Sequence, residues 1–87
     1  MPLKPINTKD RLEKIKTDPQ SAYLYSKKIL KERWPEAEPY IMQDPFYAYV
    51  YALYVIKDKW PEAEPTIKKD KEIWNYYRSY FKIKGRV

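Results

Sequence analysis

The apolar positions of this chain recur with helical spacing. Ala22, Tyr25, Ser26 and Ile29 fall at i, i+3, i+4 and i+7, which puts all four on one face of an α-helix. That face returns as Ala48, Tyr51, Ala52 and Val55, and again, with bulkier groups, as Trp74, Tyr77 and Phe81. Asp18-Pro19 and Asp44-Pro45 mark the first two helix starts: the Asp side chain accepts from free N–H groups, and proline fits the first helical position. Each helix is expected to run about 14 residues, to roughly Lys31 and Lys57, with Lys31, Arg33, Lys57 and Lys59 at the negative end of its dipole. Trp34-Pro35 and Trp60-Pro61 then break the chain, because the residue before a proline is pushed out of the α region.

A shorter helix comes after each break, with Glu36, Glu38, Glu62 and Glu64 near its positive end. Pro39 and Pro65 leave two readings, a kinked helix or one that begins only at these second prolines. The segment Tyr47 to Tyr51 alternates as a strand would, but a strand there would leave the Asp44-Pro45 cap without a helix. The expected fold class is all-α, a compact stack of helix pairs.

The pairs are copies of one unit. Residues 18–43 and 44–69 align without a gap and agree at 13 of 26 positions, including the whole of WPEAEP. Ile15, Ile41 and Ile67 share one register, so half a unit precedes residue 18. One domain over 1–87 is expected: an arm at 1–7, a partial repeat at 8–17, repeats at 18–43 and 44–69, and a degenerate basic C-terminal helix at 70–87.

The strings AYLYSKKILKERWPEAEPYIMQDP and AYVYALYVIKDKWPEAEPTIKKD resemble a tandem α-helical repeat of bacteriophage and bacterial proteins, with units close to AYxYAxxVIKxRWPEAE. The resemblance covers residues 18–70 and implies a helical solenoid of phage or bacterial origin. It carries over no catalytic residue and no ligand. With only two well-kept units, a compact bundle is expected in place of an extended superhelix.

Composition narrows the chemistry. The 87 residues include no Cys and no His, which excludes disulfides, thiolate catalysis, Cys/His zinc sites and imidazole acid–base work. The longest apolar run, Phe46–Ile56, spans 11 residues, short of the roughly 18 a membrane helix needs. The opening MPLKPINTKD lacks the apolar segment of a secretory signal. A soluble, cytoplasmic protein is expected (in the host cytoplasm if phage-encoded), with no membrane role, no cofactor and no metal.

Three groups of residues are candidates for function. The pairs Glu36/Glu38 and Glu62/Glu64 could serve as acid–base or metal-ligating carboxylates, but their exact duplication favours a structural role at helix N-termini. No catalytic constellation remains, so an enzyme is not expected. The second group is aromatic: Phe46, Val50, Leu53 and Tyr54 form a second stripe on the middle helix, and Tyr76 and Tyr80 continue it on the last. An exposed stripe of this kind marks a partner surface. The alternative is that the arm 1–7, with Leu3 and Ile6, or the terminal helix covers it, as a middle helix is often apolar nearly all round. The third group is basic. Residues 18–69 carry eight acids and eight bases, so the net +6 resides wholly in the ends. Lys14 and Lys16 at one end, and Arg78, Lys82, Lys84 and Arg86 among tyrosines at the other, suit phosphates and bases, or else a solvated helix face.

The favoured function is a small non-enzymatic interaction protein that binds a host or partner protein through Phe46, Val50, Leu53, Tyr54, Tyr76 and Tyr80, with inhibition of that partner as one variant. A nucleoprotein complex as partner and a homodimer are variants of this reading. The alternative is a nucleic-acid-binding accessory protein using Lys14, Lys16, Arg78, Lys82, Lys84 and Arg86.

Overall fold

Each long helix begins at a repeated aspartate. Asp18 Oδ2 accepts from Ser21 N–H at 2.9 Å, Asp44 Oδ1 from Phe46 and Tyr47 N–H at 2.9 and 3.2 Å, and Asp70 Oδ1 from Glu72 and Ile73 N–H at 3.1 Å each. The computed structural model describes residues 8–82, and these are all-α, with no strand. The arm at 1–7 and the residues Lys84 and Arg86 lie outside the described residues.

The helices are α1 (Thr8–Lys16), α2 (Pro19–Tyr25), α3 (Glu38–Ile41), α4 (Pro45–Tyr51), α5 (Glu64–Ile67) and α6 (Lys71–Tyr80). α2 and α4 each run on into a π-helical turn, Ser26–Leu30 and Ala52–Ile56. The turns end where Lys31 N–H and Lys57 N–H bond back five residues, to Ser26 and Ala52 carbonyls, at 2.7 Å each. Both lysines take left-handed backbone, with φ of 57° and 63°.

The wider turn overrules one expectation. In place of Ile29, which is 63% exposed, the inward position passes to Leu30. One extra residue per turn rotates the rest of the helix about its axis, so the i+7 member of the stripe swings to solvent. In the second unit both Val55 and Ile56 stay partly buried against the core.

The breaks are also clarified. The short helices start one residue before the second prolines, at Glu38 and Glu64, so Pro39 and Pro65 occupy the first turn, where no N–H is missed. The first prolines belong to a preceding turn, which in the second unit is the 3₁₀ turn Pro61–Ala63.

The long helices pack in series, α2 on α4 and α4 on α6, and α1, α3 and α5 each pack on the long helix that comes next in the chain. Small residues make this close approach feasible: Ala22, Ala37, Ala48, Ala52 and Ala63 are fully buried, together with Ser26, Ile41 and Ile67. Ser26 Oγ–H satisfies itself on Ala22 C=O at 2.8 Å. On α6 the outward columns turn polar. Where the middle unit has Tyr49, Ala52, Leu53 and Ile56, α6 has Asn75, Arg78, Ser79 and Lys82. No further helix packs there among the described residues, and a polar outer face suits a terminal repeat.

Neighbouring units are clasped by one tyrosine each. Tyr51, fully buried on α4, accepts from Trp34 N–H at 2.7 Å and donates to Glu38 Oε2 at 2.8 Å. Tyr77 on α6 repeats this with Trp60 N–H at 2.7 Å and Glu64 Oε2 at 2.8 Å. Arg33 completes the first clasp with a bidentate pair to Glu38, at 2.8 and 2.9 Å. The Tyr51 ring lies 4.9 Å from that of Trp60, and Tyr25 stands in the same relation to Trp34 at 5.0 Å. At the register before it, Leu12 stands where Glu would be, so Tyr25 has no carboxylate to meet there.

Candidate partner-binding face

The middle and last long helices present an aromatic face. Phe46, Tyr54, Tyr76 and Tyr80 are 46%, 51%, 51% and 61% exposed, far above what core aromatics show. Val50 and Leu53, expected beside them on the same stripe, are instead buried at 8% each. The physical reason is lateral: α4 has α2 on one side and α6 on the other, so residues between its outer ridge and its neighbours are enclosed. Val50 and Leu53 therefore form the floor of the face and not its contact surface.

The exposed rings are held by a half-buried layer. Tyr49 lies 6.3 Å from Tyr76, and burial, reinforced by Tyr54, Tyr76 and Tyr80, raises its hydroxyl pKa. Burial does the same for Tyr23, with Tyr54 and Tyr47 nearby. Tyr54 is thus common to both clusters and links the tyrosines of α2, α4 and α6. Its ring also receives Lys27 Nζ at 4.7 Å, a cation–π contact that holds the ring on its open side. Tyr76 Oη–H bonds Glu72 Oε2 at 3.3 Å, and the Tyr80 ring meets Phe81 edge-on at 5.0 Å. Phe46, set edge-on against Tyr47 at 5.0 Å, lies two helical turns from Tyr54 along α4.

The basic candidates among the described residues, Lys14, Lys16, Arg78 and Lys82, do not lie on one helix. Lys14 and Lys16 lie on α1, which packs on α2, whereas Arg78 lies on α6, which packs on α4 and α5. Lys16 Nζ is engaged by Glu13 Oε2 at 2.7 Å, a hydrogen bond that raises its pKa. Arg78 is half-buried, and its Nη2 donates to Asn75 Oδ1 at 3.0 Å. Lys82 is exposed, with φ of 53° just past α6.

The duplicated carboxylates divide between the clasps and the surface. Glu38 and Glu64 accept from the buried tyrosines, while Glu36 Oε1 accepts from Trp34 Nε1–H at 3.2 Å and Glu62 is exposed. Among the described residues no three His, Cys, Asp or Glu side chains come close enough to share a metal ion. Nor is any helix there long and apolar enough to cross a membrane. Sequence reasoning does not single out the clasp residues, although the 26-residue recurrence of Tyr25, Tyr51 and Tyr77 alongside that of Glu38 and Glu64 is a signal that could have found them. Comparison with family models, with curated proteins and with solved structures found no match to this chain.

Proposed function

We propose that this chain is a non-enzymatic interaction module that binds a partner protein through the aromatic face of α4 and α6. The observation that supports it is the group of exposed rings, Phe46, Tyr54, Tyr76 and Tyr80, over the buried floor of Val50 and Leu53. Large rings fixed by packing lose little entropy on binding and bring both apolar area and a hydroxyl, the properties of interface anchors. If each ring loses ~100 Å² of exposed surface, four of them supply ~10 kcal/mol at about 25 cal/mol per Å². Association costs about 4–15 kcal/mol, so the rings alone leave at most ~6 kcal/mol, a contact of tens of micromolar that polar pairs or further buried area must strengthen.

The test uses the tagged full chain and a variant carrying Phe46→Ser, Tyr54→Ser and Tyr80→Ser, incubated with bacterial lysate with and without nuclease. A defined protein retained by the wild type after nuclease, and lost by the variant while its circular dichroism is unchanged, supports the reading. Retention equal in both chains refutes it. Nucleic acid carried through, with every retained protein lost on nuclease, transfers the function to the basic residues.

A further inference from the structure

The two repeats match so closely that their differences are informative. One falls at the junction of the two π turns. There Ser26, Lys27 and Lys31 of the first unit face Tyr54, Val55 and Lys57 of the second around a cleft of about 280 Å³. At the next junction the corresponding positions are Ala52, Leu53, Lys57, Tyr80, Phe81 and Ile83, so only one of the three lysines recurs. In sequence, then, only the first junction gathers three lysines at these positions.

The three lysines have no ionic partner among the described residues, and only Lys27 has an aromatic one. None is in an ion pair, and none of their Nζ atoms makes a hydrogen bond among the described residues. Asp58, beside Lys57, turns back to accept from Lys59 N–H at 2.7 Å. The helix-end carbonyls do not call for these ammonium groups either, since Ser26 C=O takes Lys31 N–H, and Ala52 C=O takes both Lys57 and Asp58 N–H. Moreover Lys31 and Lys57 sit at positive φ, where glycine would be at ease and a side chain carries a steric cost.

We propose that this cleft is a phosphate site, taking a phosphomonoester group or free phosphate. Three lysines line one opening with no lining carboxylate, which matches a dianion better than a single carboxylate. The cleft, at about 280 Å³, has room for a phosphate group. Lys27 Nζ rests 4.7 Å from the centre of the ring of Tyr54, another residue that lines the cleft. The site adjoins the aromatic face through Tyr54 but does not depend on a partner binding there.

The experiment is a titration of the ¹⁵N-labelled full chain with inorganic phosphate and, separately, with O-phosphoserine, at constant ionic strength. Saturable amide shifts confined to Ser26, Lys27, Lys31, Tyr54, Val55 and Lys57, half-complete at ~1–10 mM, are expected from both probes. A matched chloride series should give none. Lys27→Gln with Lys57→Asn should weaken binding at least ~10-fold and leave the remaining spectrum in place, because Asn tolerates the left-handed backbone at 57. Shifts that stay linear, spread over all lysines, or appear equally with chloride overturn the proposal. So does an oligothymidylate that saturates the same amides at lower concentration than phosphoserine, which would make the cleft a phosphodiester contact.

Discussion

Tyr51→Phe isolates the clasp between units. The substitution keeps the ring against Trp60 and removes only the hydroxyl, which accepts from Trp34 N–H and donates to Glu38. A buried N–H left without an acceptor costs about 1–3 kcal/mol, and a hydrogen bond to a charged group contributes about 1.5–3 kcal/mol. The two losses are not additive in full, because Glu38 keeps Arg33 and its side chain is still 12% exposed to water. About 3 kcal/mol is expected. A domain of this size is stable by about 4–13 kcal/mol, and 1 kcal/mol moves its Tm by roughly 4–8 °C, so Tm should fall by at least ~10 °C. Urea unfolding followed by far-UV circular dichroism, with an unchanged slope, measures the loss directly. Tyr54→Phe is the internal control: its ring is 51% exposed and its hydroxyl makes no hydrogen bond among the described residues, so it should cost under ~0.5 kcal/mol. Equal losses in both variants, or a loss below ~0.5 kcal/mol for Tyr51→Phe, would mean that the hydroxyl does not join the units.

Other outcomes are open to measurement. Burial holds the Tyr51 and Tyr77 hydroxyls far above the ordinary tyrosine range, with Glu38 and Glu64 adding to it against the opposing Trp N–H donors. A folded pKa raised in this way gives stability that is complete below the unfolded value near 10 and is lost as pH rises further. Absorbance at 295 nm should therefore show these two tyrosines ionising last, together with loss of helix; ionisation of all ten in one step with the helix intact would contradict the burial. Lys57→Gly should raise stability by about 0.5 kcal/mol, since relief at positive φ outweighs the added freedom of the unfolded chain; a lower Tm in thermal melts would refute this. Asp44→Ala removes acceptors for Phe46 and Tyr47 N–H and should cost ~1 kcal/mol in urea unfolding, whereas no change would show that the cap is idle. Leu53→Lys should destabilise the chain by at least ~2 kcal/mol, and Tyr54→Lys by under ~1 kcal/mol, as the first is buried and the second exposed.

The features legible in the sequence are those that depend on neighbours along the chain. Asp18, Asp44 and Asp70 act through N–H groups two or three residues away, so the helix starts are plain. The fold class rests on the same local signals and on the 26-residue register. Periodicity misplaces Ile29 because nothing in SKKIL distinguishes a π turn from an α turn; the choice rests on a bond from Lys31 back to Ser26. For Val50 and Leu53 the stripe allows both an open and a covered position, and only the packing of α2 and α6 against α4 decides between the two. The clasps span 13 and 17 residues, distances at which helical periodicity carries no information about hydrogen bonds.

Those spans give the clasps a direction in time. The Trp-Pro loop of each unit is closed by a tyrosine that lies later in the chain, never by one that precedes it. During synthesis the loop at Trp34 must wait for Tyr51, and the loop at Trp60 for Tyr77. A nascent chain halted before α6 would carry an open loop, with the Trp60 N–H and Glu64 unanswered. The final helix thus acts as the last stitch, and a ribosome-bound chain should resist protease over residues 18–43 before it does over 44–69.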